Sequence, residues 1–206
     1  SRGGVQLTPF EINVADYEEN RHFFLSRYFR NHYDEWMQKL PNLVTGITIN
    51  RVEIWVTNKS GTTANTRNIV ALTDLGEASK ISNPMWTATG QVPSNSANTE
   101  YQAMTTQYVA ARDIDQAAAT LEGAGLVGGA DFEKLESARL LSSSEYSVNT
   151  ALGYVSLKTG IQTDQVLAVA YEYTSGGVTY QVGEFASDIT DTKQALFVKA
   201  LKNTSC

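Results

Sequence analysis

The sequence is short of the side chains on which most protein chemistry depends. Its single cysteine is Cys206, the last of 206 residues, which excludes an internal disulfide and any cysteine-based zinc cage. Only two histidines occur, His22 and His32. A Ser-His-Asp triad would have to recruit one of them, and no GxSxG elbow places a serine. On one helix the two rings would stand about 80° apart around the axis and roughly 15 Å apart along it, too far to share a metal as an i, i+4 pair does. Cations are outnumbered, with 16 Lys and Arg against 22 Asp and Glu, for a formal net charge of −6. No basic cluster offsets that balance, so a nucleic-acid partner is not expected. Long apolar runs are missing as well. The stretch 166–170 falls far short of the ~20 residues a helix needs to cross a bilayer, so no direct membrane span is expected. No basic, apolar and small-residue succession opens the chain, and Ser1-Arg2-Gly3-Gly4 reads as an excision scar. Cys206 beside 203–205 reads as a boundary in a longer parent.

What is present suits one folded core: 42% of residues are hydrophobic, 10% are aromatic and only four are proline. After an extended lead-in over 7–14, Asp16 and Glu19 have capping-box spacing. Leu25, Phe29, Tyr33, Trp36 and Leu40 then recur every three or four residues up to Pro41. This predicts a long amphipathic helix over 16–39, about 36 Å in length. From Gly46 the period becomes two. Ile47 and Ile49 alternate, then Val52, Ile54 and Val56 alternate with shifted parity, which predicts a bulge near 50–51. The run 68–75 reads as the hairpin partner of that strand, across a polar loop. Residues 76–99 are turn-rich, pinned by Trp86. Asp113 and Gln116 cap a short helix over 113–122, which Gly123 and Gly125 end. The last third reads as strands over 138–141, 146–148, 153–157, 166–173, 178–185 and 196–201, with Gly176-Gly177 as a tight hairpin turn. The expected class is α+β: a mainly antiparallel β-sandwich, jelly-roll-like, with one long and one short helix. Residues 1–206 form a single domain, and 78–130 are its loop and helix insertion region.

Each chemical motif has a plainer reading. Gly123-Ala124-Gly125-Leu126-Val127-Gly128 matches GxGxxG by letter, but a helix precedes it where the dinucleotide fingerprint needs a strand, so it reads as a helix stop. The carboxylate pairs 18/19, 34/35 and 133/136 fall on expected helices, where acids usually solvate a face, and nothing fixes the separation that glycoside chemistry needs. Trp36 reads as core. Trp55, Trp86, Tyr101 and Tyr108 remain as a candidate interaction surface or sugar-stacking platform. No catalytic residue, cofactor or metal site is expected.

Several stretches together resemble the SprA/Sov family of Bacteroidetes outer-membrane proteins, which serve type IX secretion and gliding motility. They are FEINVADYEENRHFFLSRYFR at 10–30, GITINRVEIWVTNKSG at 46–61, RNIVALTDLGE at 67–77, LGYVSLKTG at 152–160, QVLAVAYEYTSGGVTYQVGEF at 165–185 and LFVKALK at 196–202. The stretch 78–130 matches least. The resemblance implies a non-barrel domain excised from a giant β-barrel translocon of the cell outer membrane, on its periplasmic or extracellular face. It also implies that exported cargo, outer-membrane accessory proteins and other regions of the same parent are the partners. It brings no catalytic residues, so the expected role is structural and interactive, with a carbohydrate-binding module of a cell-surface protein as the alternative.

Overall fold

Capping chemistry sets where the first helix begins. The computed structural model describes residues 20–204. In it Ser26 is extended (φ −157°, ψ 167°) and its Oγ accepts the Phe29 N–H, so α1 runs Arg27–Met37. The helix expected over 16–39 is therefore shortened at both ends, and its Asp16/Glu19 box lies outside the described residues. Residues His22–Phe24 form a strand, β1, paired antiparallel with β6 (Tyr154–Leu157). Tertiary pairing here overrides helical spacing. The apolar stripe still does its work, with Phe29 and Trp36 buried and Tyr33 packed against the core.

β2 (Ile47–Val56) pairs antiparallel with β7 (Leu167–Ser175), and its register slips between Ile49 and Arg51, where the parity shift placed a bulge. β3 (Thr66–Leu72) does not form the expected hairpin with β2. It pairs antiparallel with β4 (Phe132–Leu140) and parallel with β9 (Leu196–Lys202). Ile69, Val70, Ala71 and Leu72 are all fully buried, so this strand has both faces covered and needs a neighbour on each edge. Glu133 and Glu136, expected on a helix, lie on β4.

The pairings β2–β4–β3–β9–β7 return to β2, closing five strands into a barrel, while β8 (Val178–Val182) extends the sheet along β7. The fold is α+β and its sheets are mostly antiparallel, with β3–β9 the parallel pair. Instead of two open sheets stacked face to face, as expected, the larger sheet closes on itself. A second sheet of three strands, β1–β6–β5 with β5 at Tyr146–Asn149, lies beside it. Closure removes the bare edges that an open sheet would leave on these strands.

Two apolar clusters follow the two faces of the ring. The larger includes residues of α1, of α2 (Glu100–Thr105), of α3 (Ile114–Gly123) and of the small sheet. On that face Lys134, the partner of Val70, reaches solvent, which marks it as the outside. The smaller cluster takes Trp55, Ile69, Ala71, Ala138, Ala168, Ala170, Val198 and Ala200 from all five staves. We assign it to the inside, where a ring of few strands leaves room for small side chains and little else. The short helix expected over 113–122 is α3, with the Asp113 side chain accepting the Asp115 N–H. Within 78–130, Trp86, Met104, Ala111, Ala117 and Leu121 join the larger core.

Candidate functional site

The aromatic residues singled out by sequence do not come together. Trp55 is 1% exposed and belongs to the inner cluster, and Trp86 is 6% exposed in the outer one. Neither presents a ring face to a ligand. Tyr101 and Tyr108 are half-buried, and Tyr101 lines a cavity.

That cavity is a groove of about 730 Å³ between β8 and the segment that leads into α2. Ser94, Ser96, Thr99 and Tyr101 stand on one wall, Thr179 and Tyr180 on the other, and no residue of the lining is charged. Tyr180 stacks on Tyr173 with centroids 5.2 Å apart, and the Tyr173 hydroxyl donates to the Pro93 carbonyl at 2.6 Å. One wall is thereby tied to the other. Asn95 adds a second tie: its N–H donates to the Gln181 carbonyl at 2.8 Å, and its Oδ1 accepts the Gly183 N–H at 2.8 Å.

Behind the groove lies a buried charge cluster. Arg112 meets Glu184 through two parallel 2.6 Å bonds, and Glu184 also accepts the Tyr101 hydroxyl at 2.6 Å and the Phe197 N–H at 2.7 Å. The guanidinium lies 3.9 Å over the Phe197 ring and donates to the Ala195 carbonyl. Burial, reinforced by the bond to Glu184, pushes the Tyr101 hydroxyl far above the usual phenol range. Four carboxylate bonds fully occupy Glu184, which leaves it no free lone pair with which to act as a base.

A second cluster joins α1 to the barrel. Arg27 pairs with Asp74 at 3.1 Å, and Lys199 pairs with Glu77 at 3.0 Å and donates to the Thr73 carbonyl. Asn98 bridges the Asp74 and Glu77 carbonyls at 2.8 Å each. Glu100 lies beside this cluster, 1% exposed, with neither carboxylate oxygen bonded. Burial first, and the nearby Asp74 second, push its carboxyl well above the usual range. Arg67 lies opposite Ala138 at the start of β3 and ties a connecting segment to the ring. Its guanidinium donates to the carbonyls of Ala186, Ile189, Asp191 and Gln194 at 3.0 to 3.3 Å.

The remaining candidates take structural places. His22 lies on β1 and bonds Ser156, whereas His32 lies on α1 between Tyr28 and Trp36, so the two are not on one helix. Gly123, the first glycine of the GxGxxG stretch, is the last residue of α3, Gly125 follows the helix, and Gly128 bridges to Phe132 of β4. Among the described residues, no group of three or more His, Cys, Asp or Glu side chains is placed to hold a metal, and no helix is long and apolar enough to cross a membrane. Sequence reasoning missed Glu184 and Arg112, because 72 residues separate them and neither belongs to a local motif. The chain matches no protein-family model and no curated protein.

Proposed function

We propose that the chain is a non-catalytic structural and interaction domain of a large outer-membrane protein-secretion and gliding-motility translocon of the SprA/Sov kind. Its place would be the periplasmic or extracellular face, and its partners accessory proteins, cargo and the rest of the parent. The resemblance of the stretches quoted above supports that family. The observation that carries the interactive role is the use made of buried charge. Arg67, Arg112, Glu184, Lys199 and Glu77 all fasten connecting segments to the barrel. Loops held this way keep one shape, and a fixed surface loses little entropy when a partner docks.

The test is made in the parent chain. Residues 20–204 are replaced by a flexible linker, and secretion and gliding are measured together with the amount of parent inserted in the outer membrane. Secretion lost at normal insertion is the expected result, and secretion unchanged at normal insertion overturns the proposal. The alternative, a carbohydrate-binding module, rests on one observation, the place of Tyr101 in an uncharged groove of hydroxyls and amides. Calorimetry against neutral oligosaccharides, repeated with Tyr101→Phe and Tyr180→Ala, decides it.

A further inference from the structure

The edge of β8 is open where it borders the groove. β8 ends the order of the larger sheet, and β7 is its only strand partner among the described residues. The hairpin joining them has a loop of two glycines, Gly176 and Gly177, both with positive φ (57° and 80°), and it closes on the pair Ser175 and Val178. In a two-residue turn of this type the closing pair exchanges its backbone bonds across the hairpin. Bonding direction then alternates along the strand. Val178, Tyr180 and Val182 therefore bond toward β7, while Thr179 and Gln181 turn their N–H and C=O groups outward. The structure records that outward direction at one point, since the Gln181 carbonyl accepts the Asn95 N–H at 2.8 Å.

We infer that the groove receives an extended, uncharged polypeptide segment, which adds to β8 as a further strand by bonding the outward groups of Thr179 and the Gln181 N–H. Three observations agree on this occupant. A row of alternating donors and acceptors at strand spacing is complementary to a polypeptide backbone and to little else. The usual guards against such pairing, lysine, proline or a bulge, are absent from Val178–Val182. The groove in front of the edge is lined without a single charge, in a chain of net charge −6, so a charged side chain entering it would lose water and find no counter-ion. Asn95 already holds the first rung, and the groove continues along the strand from there. This inference does not depend on the identity of the parent protein.

The experiment uses an array of eight-residue peptides built from Thr, Val, Ser, Gln and Ala, with matched copies carrying Lys or Asp at alternate positions. Binders are then titrated into the isotope-labelled chain. The expected result is binding by uncharged peptides, slowed exchange of the Thr179 and Gln181 amide protons, and at least tenfold weaker binding after Thr179→Pro. That change removes an outward N–H and leaves the β7 ladder intact. If Thr179→Pro fails to fold, peptides N-methylated at alternate residues make the same test from the ligand side, and they should lose binding. The inference is overturned if no uncharged peptide outbinds its charged copy, or if binding survives both Thr179→Pro and N-methylation. It is equally overturned if neutral oligosaccharides shift the groove resonances and no peptide does.

Discussion

Glu100 is a strained side chain: among the described residues it is the buried carboxylate with both oxygens unbonded. Its carboxyl is pushed well above the usual range by burial first and Asp74 second. A carboxyl raised on folding holds its proton to higher pH in the native state than in the unfolded one. Its contribution to stability is complete below its ordinary value of 4.5 and is lost as pH climbs toward the native one. Glu100→Gln, which cannot ionise, is therefore expected to raise Tm at pH 7 and to leave it unchanged below about pH 4.5. Melting curves of both chains across that range check the sign. Arg112 presents the opposite case, since its removal strands the Glu184 carboxylate among Tyr101, Phe197 and the barrel wall. Arg112→Ala should cost about 3–5 kcal/mol in urea unfolding, because a buried charge is left unpaired. Removing both partners together should cost less than removing Arg112 alone.

Elements depend on backbone positions as much as on pairs. Gly153 has φ +75°, and a Cβ there would stand 2.5 Å from Cγ of Phe29, the buried anchor of α1. Gly153→Ala should therefore destabilise by about 1–3 kcal/mol from backbone strain alone, and by more if Phe29 cannot move. Near-ultraviolet dichroism of the surrounding tyrosines would report the displaced helix. Local signals of this kind were legible in the sequence. The Asp113 cap, the Gly176-Gly177 turn and the bulge beside Asn50 depend on a few neighbouring residues, and each lies where spacing put it. The start of α1 was not legible, because the strand that replaces its first turns exists only through β6, more than 100 residues away. β4 was legible only at its end, where the strand expected over 138–141 covers Ala138–Leu140, and its first part was hidden for a different reason. Glu133, Lys134 and Glu136 give it a helix-like surface composition, and its pairing with β3 is what makes it a strand. The candidate site shared this fate, since Tyr101 was visible as an aromatic but its partner Glu184 was not.

At the scale of the whole molecule, closure of the ring decides what the tryptophans do. An open sandwich would have left Trp55 free to face outward, whereas in the barrel its ring sits among alanines of neighbouring staves at 1% exposure. Trp55→Ala should then cost about 3–5 kcal/mol, in the range of large core truncations. Iodide should fail to quench the Trp55 fluorescence of the folded chain, as read in a variant with Trp36 and Trp86 replaced by Phe. Strong quenching there would place the ring outside the barrel wall.

The last stave, β9, runs parallel to β3 and antiparallel to β7, and it is the link that joins them. A ribosome delivers this stave after the others, so a nascent chain halted before residue 196 carries two sticky, unmated ribbons. Such a chain should clump or call on a chaperone until synthesis supplies its final rung. Truncations released just before and just after 196–202 would show that threshold as a jump in yield.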